Sequence, residues 1–113
     1  MPRVPDAVWS EVCRLVEDLS RGEYDAIHAR GQCPRCTPAE LRAAVEQYGR
    51  KLTPLPDVAR ELCDIYETGP TTFALDVPLW TVEEGRSDLT LQIDATLAHN
   101  TMTTVTISNL HVL

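Results

Sequence analysis

From Leu89 to Leu97 the chain alternates without a break: Leu89, Leu91, Ile93, Ala95 and Leu97 are apolar, while Thr90, Gln92, Asp94 and Thr96 are polar. Successive strand side chains point to opposite faces, so this pattern predicts a half-buried strand whose dry side something must cover. Phe73, Leu75, Val77 and Leu79 repeat the period in a preceding strand. Residues 62–67 open the sheet, and Gly69-Pro70 and Glu83-Glu84-Gly85-Arg86-Ser87 supply turns. Pro78 lacks an N–H, which confines its strand to an edge or a bulge there. A last hairpin at His99-Asn100-Thr101 leads to a strand in which Val105 and Ile107 are odd-numbered but Leu110 and Val112 are even. A one-residue bulge near Ser108-Asn109 returns both pairs to the dry face.

Upstream the period changes to that of a helix. Val8, Trp9, Val12, Leu15, Val16 and Leu19 predict a helix over residues 6–21, with Pro5 and Asp6 suited to its first turn and Gly22 to its stop. Tyr24 and Ile27 predict a short second helix ending near Gly31, followed by a turn at Cys33-Pro34-Arg35-Cys36. Thr37-Pro38-Ala39-Glu40 is a capping box: the Thr37 hydroxyl can accept from a helix amide, and Glu40 can reach back to the Thr37 N–H. Leu41, Ala44, Val45 and Tyr48 give that third helix its apolar stripe, and Gly49 ends it. Pro54 and Pro56 then break regular structure, leaving residues 57–61 as a loop or single turn. The whole is one α+β domain over residues 1–113, with a helical part at 6–49 and a β-meander at 62–113. Its N-terminal helices pack on one face of a four-stranded antiparallel sheet, a geometry like the cystatin-like or nuclear-transport-factor-like cone.

Charge narrows the partners. The 113 residues carry a formal charge of −7, and the excess lies in the sheet half: residues 1–56 hold eight basic and eight acidic side chains, residues 57–113 two and nine. Nucleic acid and an anionic membrane surface both call for clustered Lys and Arg, and are disfavoured. A basic protein partner or a cation remains; a homodimer is the other partner the sequence suggests, through the wet sheet face around Trp80. With no signal-like or membrane-spanning apolar run, the expected location is the cytoplasm. There the four cysteines are expected as thiols or metal ligands rather than structural disulfides.

Few residues suggest chemistry. Cys33 and Cys36 have the spacing of a zinc knuckle, which two of Cys13, Cys63 and His28 would have to complete; zinc is the one cofactor the sequence suggests. The same pair before a helix could cycle to a disulfide, although no strand precedes it as in thioredoxin-like proteins. Glu83, Glu84, Arg86 and Asp88 concentrate charge beside Trp80. These five are candidate binding residues, against the plainer reading that loop glutamates project into water and Arg86 pairs locally. Parity sends Asp76 and Asp94 to the wet face, away from any pocket between sheet and helices. Tyr24, Tyr48, Asn109 and His111 are the few polar groups an enzyme using the cone interior would have, and the bulge turns His111 outward. Trp80, a large aromatic on the wet face, fits an interface anchor.

The helix from Leu41 to Gly49 and the Pro54 and Pro56 segment are followed by Val77-Pro78-Leu79-Trp80-Thr81 and Glu84-Gly85-Arg86-Ser87-Asp88-Leu89-Thr90-Leu91. Together with the ending Asn109-Leu110-His111-Val112-Leu113, they resemble a family of small bacterial domains of unknown function. The resemblance covers most of the chain and implies a small fold without an assigned activity. It transfers no catalytic residue, and the Cys33-Pro34-Arg35-Cys36 turn departs from its pattern. The expected function is a non-catalytic interaction module, with a small enzyme and a zinc-stabilised domain as alternatives.

Overall fold

The computed structural model describes residues 4–97 and 103–112; the hairpin expected at His99-Asn100-Thr101 lies outside them. Helices α1 (Asp6–Ser20), α2 (Tyr24–Ala29), α3 (Pro38–Tyr48) and α4 (Ala59–Leu62) precede strands β1 (Asp64–Glu67), β2 (Thr72–Thr81), β3 (Gly85–Leu97) and β4 (Thr103–Val112). The strands form one antiparallel sheet in the order β1-β2-β3-β4. This is the α+β meander that the two periodicities predict.

Helix α1 buries Val8, Val12, Leu15, Val16 and Leu19, all on one stripe, and packs on β3 and β4. Opposite them lie Leu75, Val77, Leu79, Leu91, Ile93, Val105 and Ile107, each 3% exposed or less. Removing such a side chain from water is worth roughly 1.5–3 kcal/mol, so this apolar layer is the main source of stability. The first helix stops where Gly22 takes φ 73°, a left-handed conformation that lets the Glu23 N–H donate to the Asp18 carbonyl at 2.9 Å. At the start of α3 both arms of the capping box form: the Glu40 N–H donates to the Thr37 hydroxyl and the Thr37 N–H to the Glu40 carboxylate, each at 3.1 Å.

Two irregularities shape the sheet. Gln92 faces Asn109 and Ile93 faces Ile107, so Ser108 is the extra residue and the expected bulge is present. Leu110 thereby pairs with Leu91 on the dry face and His111 with Thr90 on the wet one. Val112 pairs with Leu89 but remains 56% exposed at the strand's end. The second shift falls between Pro78 and Trp80 and places extra β3 residues there. Ser87 repairs this gap: its buried hydroxyl donates to the Leu79 carbonyl at 2.8 Å and accepts from the Leu89 N–H at 3.2 Å. Pro78 is tolerated in β2 because β1 pairs only as far as Asp76. Beyond it, residues 51–53 take over, with the Thr53 N–H donating to the Trp80 carbonyl and the Val82 N–H to the Lys51 carbonyl, both at 2.9 Å.

Residues 57–61, read as a loop or turn, lead instead into α4, and the strand expected from residue 62 begins at Asp64. Tertiary contacts decide this: Ala59 is fully buried, and the Arg60 guanidinium donates to the Val4 carbonyl and pairs with Asp6 at 2.6 Å. A long edge strand such as β4 invites pairing with another chain. Here the Gln32 carbonyl accepts from the Ile107 N–H at 2.7 Å, and the Asn109 side chain accepts from the Leu110 N–H at 2.9 Å.

Candidate functional site

Among the described residues, helices pack on one face of the sheet, the face that carries Leu75, Val77, Leu91, Ile93, Val105 and Ile107. Register places Asp64, Asp76, Gln92 and Asn109 in one cross-strand row of the other face, and Tyr66, Ala74, Asp94 and Thr106 in the next. These rows contain Asp64, Asp76 and Asp94 but no lysine or arginine. Asp64 stands directly opposite Asp76, an arrangement that costs stability because like charges repel across 5 Å or so. Gln92 relieves part of it, its Nε2 donating to Asp76 Oδ1 at 3.2 Å. Tyr66 is 54% exposed beside this row.

The five candidate binding residues divide into two groups. Trp80 pairs with Arg86 across the irregular hairpin and is half-buried rather than fully presented to solvent. Arg86 and Asp88 line an open depression with Pro78, Ser87 and Thr90. Glu83 and Glu84, by contrast, do not simply project into water. The Glu83 carboxylate accepts from the Lys51 N–H at 3.0 Å, and Glu84 accepts from the Tyr48 hydroxyl at 3.1 Å and the Thr81 hydroxyl at 3.2 Å. The Tyr48 hydroxyl in turn accepts from the Asp88 N–H at 3.3 Å. Both glutamates therefore clamp the hairpin to the end of α3 and to residues 51–53, contacts that close only on folding.

Cys33 and Cys36 are joined in a disulfide, which corrects the expectation that all four cysteines are thiols or metal ligands. A bonded pair offers zinc no thiolate, and among the described residues no cluster of three or more His, Cys, Asp or Glu is placed to hold a metal. A ring this short restricts the unfolded chain by only about 2 kcal/mol in the chain-entropy picture. Cys13 and Cys63 remain free. Burial, then the Asp64 carboxylate and the Cys13 thiol, push the Cys63 thiol up to about 12. Burial and the Asp57 carboxylate raise Cys13 as well, Arg60 partly offsetting them. Neither is an activated nucleophile, since thiolates do the attacking.

The polar groups assigned to an enzymatic interior do not all converge: Tyr48 and His111 line one open depression with Ala44, Gln47 and Leu110, while Tyr24 and Asn109 line separate ones. Tyr24 is buried where α2 meets α3, with the Arg42 guanidinium 5.6 Å over its ring, and burial raises its hydroxyl. Tyr48 is held by the hairpin and Asn109 is exposed at the β4 edge. His111 faces outward, and its buried Nδ1 has no hydrogen-bond partner. The larger depressions, such as the groove of about 470 Å³ between α2 and α3, are open and lie outside the apolar layer. No described helix is long and apolar enough to cross a membrane.

A fold of four helices followed by a four-stranded meander, without an assembled catalytic or metal centre among its described residues, defines a small α+β domain. The chain belongs to a family described as a domain of unknown function (DUF7668), whose pattern matches residues 16–113. That span takes in the last third of α1, the disulfide turn and the entire sheet. No curated protein and no solved structure matches it.

Proposed function

We propose that this domain is a non-catalytic interaction module that recognises a basic segment of a protein partner through the uncovered face of its sheet. The carrying observation is the Asp64–Asp76 pair: a like-charge contact across two strands, with Asp94 nearby and no basic residue in the rows. Such a face gains when a cationic surface covers it. Tyr66 and Trp80 add aromatic area of the kind that anchors interfaces. The side of the sheet towards the helices is packed with buried, mostly aliphatic side chains, which supports a cystatin-like cone with a dry interior and recognition over turnover. The free Cys13 and Cys63 thiols fit a cytoplasmic location, whereas the Cys33–Cys36 bond runs against it, because a reducing thiol pool opens disulfides.

The test is affinity capture with the intact protein, then calorimetric titration of the purified partner against wild type and a Tyr66→Ala/Trp80→Ala variant at increasing salt. Expected are a loss of about tenfold or more in affinity and weaker binding as salt rises. Unchanged affinity in a folded variant removes this reading.

A further inference from the structure

The two sulfurs of the Cys33–Cys36 bond differ in access. Cys33, within the α2–α3 connection, is 2% exposed and belongs to the buried core. Cys36 is only partly buried and forms a wall of a cleft of about 170 Å³ between the first turns of α3 and the Ser108 bulge of β4. Arg35, Glu40 and Asn109 also line that cleft. Cys36 immediately precedes the capping residue Thr37, so it sits at the positive end of an eleven-residue helix, where a thiolate is stabilised. Cys13 and Cys63 lie elsewhere, are free, and have raised pKa values.

We propose that Cys33–Cys36 is a reversible redox site that takes a dithiol as its substrate class and is entered at Cys36. A thiolate of the dithiol attacks Cys36 Sγ along the cleft. A new S–S bond forms as the Cys33–Cys36 bond breaks, and the electron pair leaves on Cys33, which takes a proton from water. The second thiol of the reagent, once deprotonated, attacks its partner sulfur in the mixed disulfide and expels Cys36 as a thiolate at the helix N-terminus. Two electrons have moved, oxidising the dithiol to a disulfide and reducing the pair. The exchange has a structural readout, because Gln32, next to Cys33, caps the β4 edge at Ile107. The side chain of Gln32 is itself held by the Arg30 guanidinium at 2.8 Å, and Arg30 by Asp18 at 2.5 Å. The bonded turn thus keeps that carbonyl on the edge strand, and opening it loosens the cap.

The experiment uses the intact wild-type protein and millimolar dithiothreitol under native conditions. Iodoacetamide then traps thiols over time, and peptide mass mapping reads each cysteine separately. Reduction without denaturant, alkylation at Cys36 about tenfold faster than at Cys33, Cys13 or Cys63, and faster amide exchange at Ile107 in the reduced form are expected. A bond that yields only after denaturation, or Cys33 labelled as fast as Cys36, overturns the assignment. Unchanged Ile107 exchange overturns the link to the β4 edge.

Discussion

The Tyr48 hydroxyl, on the last turn of α3, donates to the Glu84 carboxylate at 3.1 Å across 36 residues of sequence. With the Asp88 N–H donating to the same hydroxyl, one phenol joins the third helix to the β2–β3 turn and to the first residues of β3. Tyr48→Phe removes both bonds and keeps the ring. It should cost about 1 kcal/mol, read as a lower urea midpoint at unchanged slope. A variant as stable as wild type would show that the clamp contributes nothing.

Ser87→Ala should cost more, about 1–3 kcal/mol, because it strands a buried carbonyl at Leu79 and a buried N–H at Leu89. Chemical denaturation measures it. Ser87→Thr retains the hydroxyl and should recover part of the loss.

Asp64→Lys turns a repulsive cross-strand pair into an attractive one and should stabilise the domain by ~0.2–1 kcal/mol. The same change should weaken binding of the basic partner. Stability and affinity moving in opposite directions distinguishes a functional carboxylate from an incidental one, and urea titration beside calorimetry reads both.

Cys63 gives a pH dependence with a definite sign. Its folded pKa, about 12, lies above the ordinary thiol value of 9.0, so the native state holds a proton that the unfolded chain releases. Its stabilising contribution is complete below the ordinary value and is lost as pH rises from there through about 12. Unfolding free energies measured across that alkaline range should fall more steeply for wild type than for Cys63→Ala. Equal slopes would mean that the thiol is not buried in solution as it is here.

What could be read from sequence was what obeys a local or periodic rule. The bulge at Ser108 was legible because Ile107 and Leu110 cannot otherwise share a face, and the Thr37 cap because its partners lie three residues away. The roles of Glu83 and Glu84 were not legible, since Lys51 and Tyr48 reach them only once the hairpin has folded back. Helix α4 escaped for a similar reason: Ala59 and Arg60 are fixed by tertiary burial and by Val4, not by periodicity. The Cys33–Cys36 spacing was visible, but zinc and disulfide impose the same separation, and only the placement of the sulfurs tells them apart. For the open face, parity gave which residues share it, while the opposition of Asp64 and Asp76 required the register.

Hydroxyl-radical footprinting of the domain, free and bound to its captured partner, asks directly which surface does the recognising. Tyr66 and Trp80 should be protected in the complex, while the labelling of α1 and α2 side chains should stay as in the free protein. Protection confined to the helices, with Tyr66 and Trp80 labelled as before, would move recognition off the sheet and end the case for its acidic face.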